Sequence, residues 1–210
     1  QKNIKCFKLD VTSEKSIVNL VKKLEQKKIK LDALINNACL NPKYENKIKF
    51  KNNSLENFSL DLWNNEIKVG LTGSFLCAKH FGYQMKKSKK KGVIINIGSE
   101  LSVVAPDQRI YKKNFFKPVT YSVIKHGIIG LTKYLSTYWA EHGIRCNALS
   151  PGGIYNNQDK KFLKNFKKLV PLNRMAAQDE YNSAIQFLCS DASKFLNGHN
   201  LIIDGGRSIW

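Results

Sequence analysis

A chain of 210 residues with 42% hydrophobic content can bury one sizeable core, and no shift in composition marks a second domain, so residues 1–210 read as a single α/β domain. The net charge of +19 rests on 35 basic residues, of which only Arg109, Arg145, Arg174 and Arg207 are arginine; nucleic-acid readers lean on arginine for bidentate contacts, so no nucleic-acid partner is expected. No run approaches the about 18 apolar residues of a membrane span, and no charged start followed by an apolar stretch marks a signal peptide, so a cytoplasmic protein with no membrane partner is expected.

Five cysteines, Cys6, Cys39, Cys77, Cys146 and Cys189, are an odd number without a C-x-x-C pair. They read as buried thiols in a reducing compartment, with no disulfide framework and no metal site. In chain order, Ile4 to Leu9 has the look of a first strand, and Thr12 or Ser13 can cap a helix whose Ile17, Leu20, Val21 and Leu24 recur at helical spacing. Ala33 to Ile35 follows as a strand, then a helix over about Leu60 to Met85. The basic run Lys86 to Lys91 reads as a solvated turn before the strand Val93 to Ile97. A helix over Tyr121 to His142, a strand at Ile144 to Leu149, a helix over Asp179 to Leu188 and a strand at Leu201 to Ile203 complete the pattern. Strands and helices alternating with short connections predict a doubly wound parallel sheet, Rossmann-like.

Tyr121 and Lys125 stand four apart at the start of a predicted helix, so both project from one face about one turn apart. A cation within a few ångströms favours the phenolate, and a tyrosine so tuned can exchange a proton with an alcohol or carbonyl oxygen. By itself Y-x-x-x-K is a weak signal, equally compatible with a solvated pair on a helix surface.

Further motifs follow in order: Leu9-Asp10-Val11, Asn36-Asn37-Ala38, Asn96-Ile97-Gly98-Ser99, Tyr121-Ser122-Val123-Ile124-Lys125, Asn147 to Gly153 and Asp204-Gly205-Gly206. On these the chain resembles the classical short-chain dehydrogenase/reductase family, and the resemblance covers essentially every residue. It lacks the family's opening strand, its T-G-x-x-x-G-x-G turn, the helix after that turn and the second strand; the first glycine here is Gly70. The sequence therefore reads as N-terminally incomplete. With that segment absent, residues Gln1 to Lys30 are expected to be displaced from the sheet or re-paired against Ala33 to Ile35 in a non-family register, and these 210 residues alone to bind dinucleotide poorly while a version restored upstream binds and turns over.

The resemblance implies roles. Tyr121 would be the general acid/base, Lys125 would lower its pKa and hold the nicotinamide ribose, and Ser99 would hydrogen-bond the reacting oxygen. Asp10 and Val11 would border the adenine, Asn37 and Ala38 the adenosine side, and Pro151, Gly152 and Ile154 the nicotinamide of an NAD or NADP cofactor. The residues themselves leave Asp10 equally readable as a helix-capping group.

Three departures from the family pattern stand out. Val69-Gly70-Leu71-Thr72-Gly73 has Gly70 where the family usually carries an Asn, and Cys39 replaces a glycine on the adenosine side. Ser99 precedes Tyr121 by more residues than usual, and the extra stretch includes Asp107, Arg109, Tyr111, Lys112, Lys113, Phe115, Phe116 and Lys117. Basic and aromatic side chains there suit an anionic or sugar-like substrate, a lysine-rich surface loop being the plainer reading. The closing segments resemble bacterial oxidoreductases of flagellin-modification and nonulosonic-acid clusters. Two functions are carried forward: an NAD(P)-dependent alcohol/ketone oxidoreductase acting on a sugar or nucleotide-sugar derivative, and a catalytically inactive binding or structural subunit. Apolar residues on more than one face of the helices beginning at Leu60 and Tyr121 predict a homodimer or homotetramer.

Overall fold

Branched aliphatic runs flanked by helices bury best as parallel strands, and four of them do so. The computed structural model describes residues 4–40, 54–88 and 91–210. Strands β1 (Ala33–Asn36), β2 (Gly92–Ile97), β3 (Ile144–Pro151) and β4 (Asn200–Ile203) form one all-parallel sheet in the order β1-β2-β3-β4. Register pairs Asn36 with Asn96, Ile97 with Leu149 and Pro151 with Ile203, so the carboxyl ends of all four strands share one edge.

Among the described residues, five α-helical segments flank the sheet: α1 (Glu14–Gln26), α2 (residues 60–87), α3 (Val119–Tyr138), α4 (Lys160–Lys167) and α5 (Asn182–Cys189). Ser13 caps α1 by accepting from the Ser16 amide, as one of the two expected caps. Helix α2 is continuous but widens twice, into π-type turns at Lys68–Thr72 and Ala78–Gly82. Lys86 and Lys87 end that helix, and Lys89 and Lys90 of the basic run lie outside the described residues. One face of the sheet packs Ile94 and Cys146 against Met85, Leu135 and Trp139. The other packs Val93, Ile95 and Leu149 against Tyr181, Ala184 and Leu188 of the α5 region. A fully buried aliphatic side chain contributes about 1.5–3 kcal/mol, and Ile94 and Ile95, both at 0% exposure, give β2 an anchor on each face.

Three expectations need correction. Ile4 to Leu9 forms no strand; Phe7, Leu9 and Val11 instead pack with Ile17, Leu76 and Phe81 between α1 and α2, which satisfies the same two-residue alternation without a sheet neighbour. Of the two expected fates for this region, displacement from the sheet is the one found. The cysteines are not uniformly buried: Cys77 and Cys146 are, Cys39 and Cys189 are partly so, and Cys6 is exposed, because its segment is not in the sheet. Helix α4 went unforeseen, although Asp159 is a plain cap, accepting from the Lys161 and Phe162 amides ahead of Phe162 and Phe166 at i, i+4 spacing.

Candidate active site

Strand β2 ends at Ile97, and the Gly98 amide still donates to the Leu149 carbonyl at 2.7 Å, so the next residue leaves the sheet edge in a fixed direction. Ser99 then caps a single 3-10 turn, its Oγ accepting from the Leu101 amide at 3.2 Å while its own amide donates to Ser102 Oγ at 3.0 Å. That Oγ donates to Glu100 Oε2 at 3.2 Å and also acts on the Tyr121 phenol, favouring its ionised form. Glu100 is in turn paired with Arg207 at 2.8 Å, both side chains buried. Arg207 arrives there because Gly206 takes the left-handed conformation, φ +91°, and the Asp204 carboxylate accepts from the Gly206 and Ser208 amides.

Tyr121 lies in the first turn of α3, just after Pro118, and Lys125 lies one turn on. The Lys125 ammonium is buried, donates to the Ile97 carbonyl at 2.8 Å and stands 5.6 Å from the centre of the Tyr121 ring. Lys125 is expected to lower the phenol's pKa; in the structure burial is the leading influence, and Tyr121 is pushed up to about 12, with Ser99 opposing. Burial also lowers the pKa of Lys125. The ground state is therefore a neutral phenol beside a serine hydroxyl and an ammonium.

These groups face a cleft of about 1210 Å³. Ser99, Tyr121, Lys125, Asn37, Pro151, Gly152 and Ile154 all line it, as does Cys39. Gly152 is required by close approach: a Cβ there would stand 2.8 Å from the Asp204 Cα. Asp10, Val11 and Ala38 do not line the cleft. The Asp10 carboxylate accepts from the Thr12 amide and hydroxyl at 2.9 and 2.8 Å, which holds its pKa below the usual carboxylate value, and Val11 packs on Gly73. Asn36, beside Asn37, is buried and donates to Asn96 at 2.9 Å, and Asn96 donates to Thr132 at 2.9 Å, so a polar ladder crosses β1 and β2 into α3.

Gly70 sits in the first π-type turn of α2 with its open side against α3: a Cβ would meet Ile124 Cγ2 at 2.8 Å. The bulky residue preceding Lys125 thus fills the space that a side chain at position 70 would need. One turn earlier Glu66 is buried, accepts from the Thr120 hydroxyl and has its pKa raised by burial.

The stretch between Ser99 and Tyr121 forms one wall of the cleft. Asp107 caps a short turn and pairs with Arg109, Tyr111 packs against Phe115 and Phe162 at 5.6 Å each, and Lys112 stands 3.7 Å from Asp159. Glu100, Phe162, Phe166 and Arg207 line the cleft without having been singled out as site residues from the sequence, whereas Lys117 of the extra stretch lines it as that reading implied. The α4 cap was the missed signal for the two phenylalanines; Glu100 and Arg207 are 107 positions apart, and nothing local marks them as partners. Among the described residues no three His, Cys, Asp or Glu side chains lie together as a metal site, and no helix is long and apolar enough to cross a membrane.

The chain is similar to known proteins over most of its length. A family model described as enoyl-(acyl carrier protein) reductase matches residues 1–208. The chain is 34% identical to the D-threitol dehydrogenase of Mycolicibacterium smegmatis over 73% of its own length but only 57% of that protein's. It is 31% identical to an NAD-dependent glycerol dehydrogenase of Listeria innocua over 97% of this chain and 74% of that one. Post-translational flagellin modification protein A of Campylobacter coli is 30% identical over 100% of this chain and 80% of that protein. A short chain dehydrogenase from Leptospira borgpetersenii, solved with bound NAD+, superposes with a TM-score of 0.84 at 34% identity, covering 97% of this chain and 75% of that one. With the family model matching nearly its whole length and its motifs gathered at the carboxyl edge of a parallel sheet, the chain belongs to the short-chain dehydrogenase/reductase family.

Proposed function

We propose that the protein is a nicotinamide-dependent oxidoreductase that interconverts an alcohol and a ketone, with Tyr121 as proton donor and acceptor, Ser99 as hydrogen-bond partner of the reacting oxygen and Lys125 as the cation between them and the cofactor. The observation that carries this reading is that Ser99, Tyr121 and Lys125 all face one large cleft, with the Lys125 ammonium 5.6 Å from the centre of the Tyr121 ring. The cleft's chemistry fits a dinucleotide's nicotinamide end: Lys125 can donate to ribose hydroxyls, Asn37 offers an amide, and Gly152 with Pro151 and Ile154 forms a wall that approaches closely because no side chain projects from Gly152. Asp10, Val11 and Ala38 we assign to the adenosine end, outside the cleft. NAD or NADP would supply or accept the hydride.

In reduction, the neutral Tyr121 phenol is in the right state to donate its proton to a carbonyl oxygen that Ser99 also holds. In oxidation, the phenolate takes the alcohol proton, and the Lys125 ammonium stabilises the charge that Tyr121 then carries. Tyr111, Phe115 and Phe162 offer faces on which a sugar ring can stack, and Lys112 and Lys117 favour an anionic group, so a sugar or nucleotide-sugar derivative is the substrate class we assign. The polyol dehydrogenases and the flagellin modification protein among its relatives support that class.

Exposed Phe75, Tyr83, Val123, Tyr134 and Tyr138 on α2 and α3 support a homodimer or homotetramer, which sedimentation at micromolar concentration tests. We place the protein in the cytoplasm as a single domain. The function is tested by following nicotinamide absorbance with NAD+ and NADP+ against a panel of polyols, aldonates and nucleotide sugars. Saturable oxidation of at least one sugar-derived alcohol is expected; cofactor binding with no turnover across the panel would favour the inactive-subunit reading instead.

A further inference from the structure

We propose that Lys117 is a positioning residue that acts through Tyr121: its ammonium, seated 3.6 Å from the centre of the phenol ring, holds the ring in place and, while charged, favours the phenolate. The proposal rests on the reading of Tyr121 as the proton-transfer group. Its basis is a spacing that only the structure makes meaningful. Lysines stand four residues before and four after Tyr121, and both reach its ring, Lys117 at 3.6 Å and Lys125 at 5.6 Å. Lys125 does so along the helix, whereas Lys117 precedes it and is delivered by the wall of the cleft. The Lys117 amide donates to Gln108 Oε1 at 2.9 Å and Pro118 follows at once, so the backbone is fixed on both sides and the side chain falls across the ring.

The charges around this pair come from four directions. Glu100, paired with Arg207, and Glu66 of α2 both favour the Lys117 ammonium; Lys125 of α3 opposes it, and the Cys39 thiol after β1 faces both Lys117 and Tyr121. Burial wins over these, and Lys117 is pushed down to about 8. It therefore changes charge within the working range of a cellular enzyme. Below that value the ring carries a cation on its face and the phenolate is favoured; above it the effect is withdrawn. The pH dependence of turnover thus contains a step belonging to Lys117, a residue outside the Tyr-x-x-x-Lys motif.

The test compares K117R, which keeps a cation at every accessible pH, with K117M, which has none. Tyrosinate absorbance is titrated in each, with Y121F counterparts subtracted to isolate Tyr121 and circular dichroism verifying the fold; K117Q replaces K117M should the latter not fold. Tyr121 is expected to ionise on the order of one pH unit lower in K117R than in the uncharged variant, about tenfold in acidity. Coincident midpoints would overturn the proposal. This readout needs neither cofactor nor substrate, so it stands or falls separately from the assigned activity. In turnover, the wild-type profile should follow K117R below about pH 8 and approach K117M above it; a profile indifferent to both substitutions would also overturn it.

Discussion

The segment that carries Ser99 and Tyr121 is held by buried bonds from β2, β3, α3 and the closing residues, while Asp10 and Ala38, assigned to the far end of the same ligand, are exposed and outside the cleft. Ser99 alone engages Glu100, Leu101, Ser102 and Tyr121, and Glu100 ties that turn to Arg207 more than a hundred residues on. Asp10 engages mainly its own turn and the start of α1, through Thr12, the Ser13 amide and the Ser16 hydroxyl. The contrast separates two tasks. Proton transfer needs groups fixed to fractions of an ångström and sits where α3 and the turn after β2 meet the buried core, whereas a surface that borders an adenine needs only to be present.

The sharpest way to probe the rigid end is to remove its chemistry without its packing. Y121F and K125M are each expected to lower turnover by about 10³-fold while leaving the fold intact, the size of a lost proton-transfer group; steady-state rates beside circular dichroism check this. Next in size is R207M, which leaves Glu100 buried without its partner and should cost about 3–5 kcal/mol of stability in chemical denaturation. Its pH dependence has a definite sign. Burial already raises the folded Glu100 pKa above its ordinary 4.5 despite Arg207, and losing Arg207 raises it further. A carboxyl raised in the folded state binds its proton more tightly there, so R207M should be least destabilised near and below pH 4.5 and lose stability as pH rises through the folded value.

A smaller effect concerns the contact between α2 and α3. G70N forces an amide into space that Ile124 occupies and should cost about 1–3 kcal/mol, and adding I124S should return part of it. A double-mutant cycle with coupling of about 1 kcal/mol or more would show that the two positions share one space. The smallest change is expected at the other end: I4S, at a side chain 71% exposed, should shift stability by no more than about 0.5 kcal/mol.

Strands β2, β3 and β4 were legible because both faces of a parallel strand are apolar, and Tyr121 with Lys125 because helical spacing carries side-chain direction in the sequence itself. Residues 4–9 misled for a physical reason. Phe7, Leu9 and Val11 alternate as a strand would, and alternation reports which side chains are buried, not whether the backbone has a neighbour to pair with. The Glu100–Arg207 pair and the seat of Lys117 on Tyr121 depend on where distant backbone turns place a side chain, a relation that no local pattern records. The Lys125 ammonium near Tyr121 was legible from the spacing, but the ionisation of the phenol was not. Spacing shows that a cation is near, but burial, which a sequence does not display, sets the phenol at about 12.

The most direct measurement follows the hydride and the proton together: reduction of a sugar-derived ketone with deuterium-labelled NADH or NADPH, in wild-type protein and in Y121F. One deuterium at the new carbinol carbon per turnover in the wild type, with the cofactor deuterated at both C4 positions, and the rate lost in Y121F, is the expected result; an unlabelled product would contradict hydride transfer from the cofactor, and labelling at an undiminished rate in Y121F would contradict the assignment of Tyr121 to the proton-transfer step.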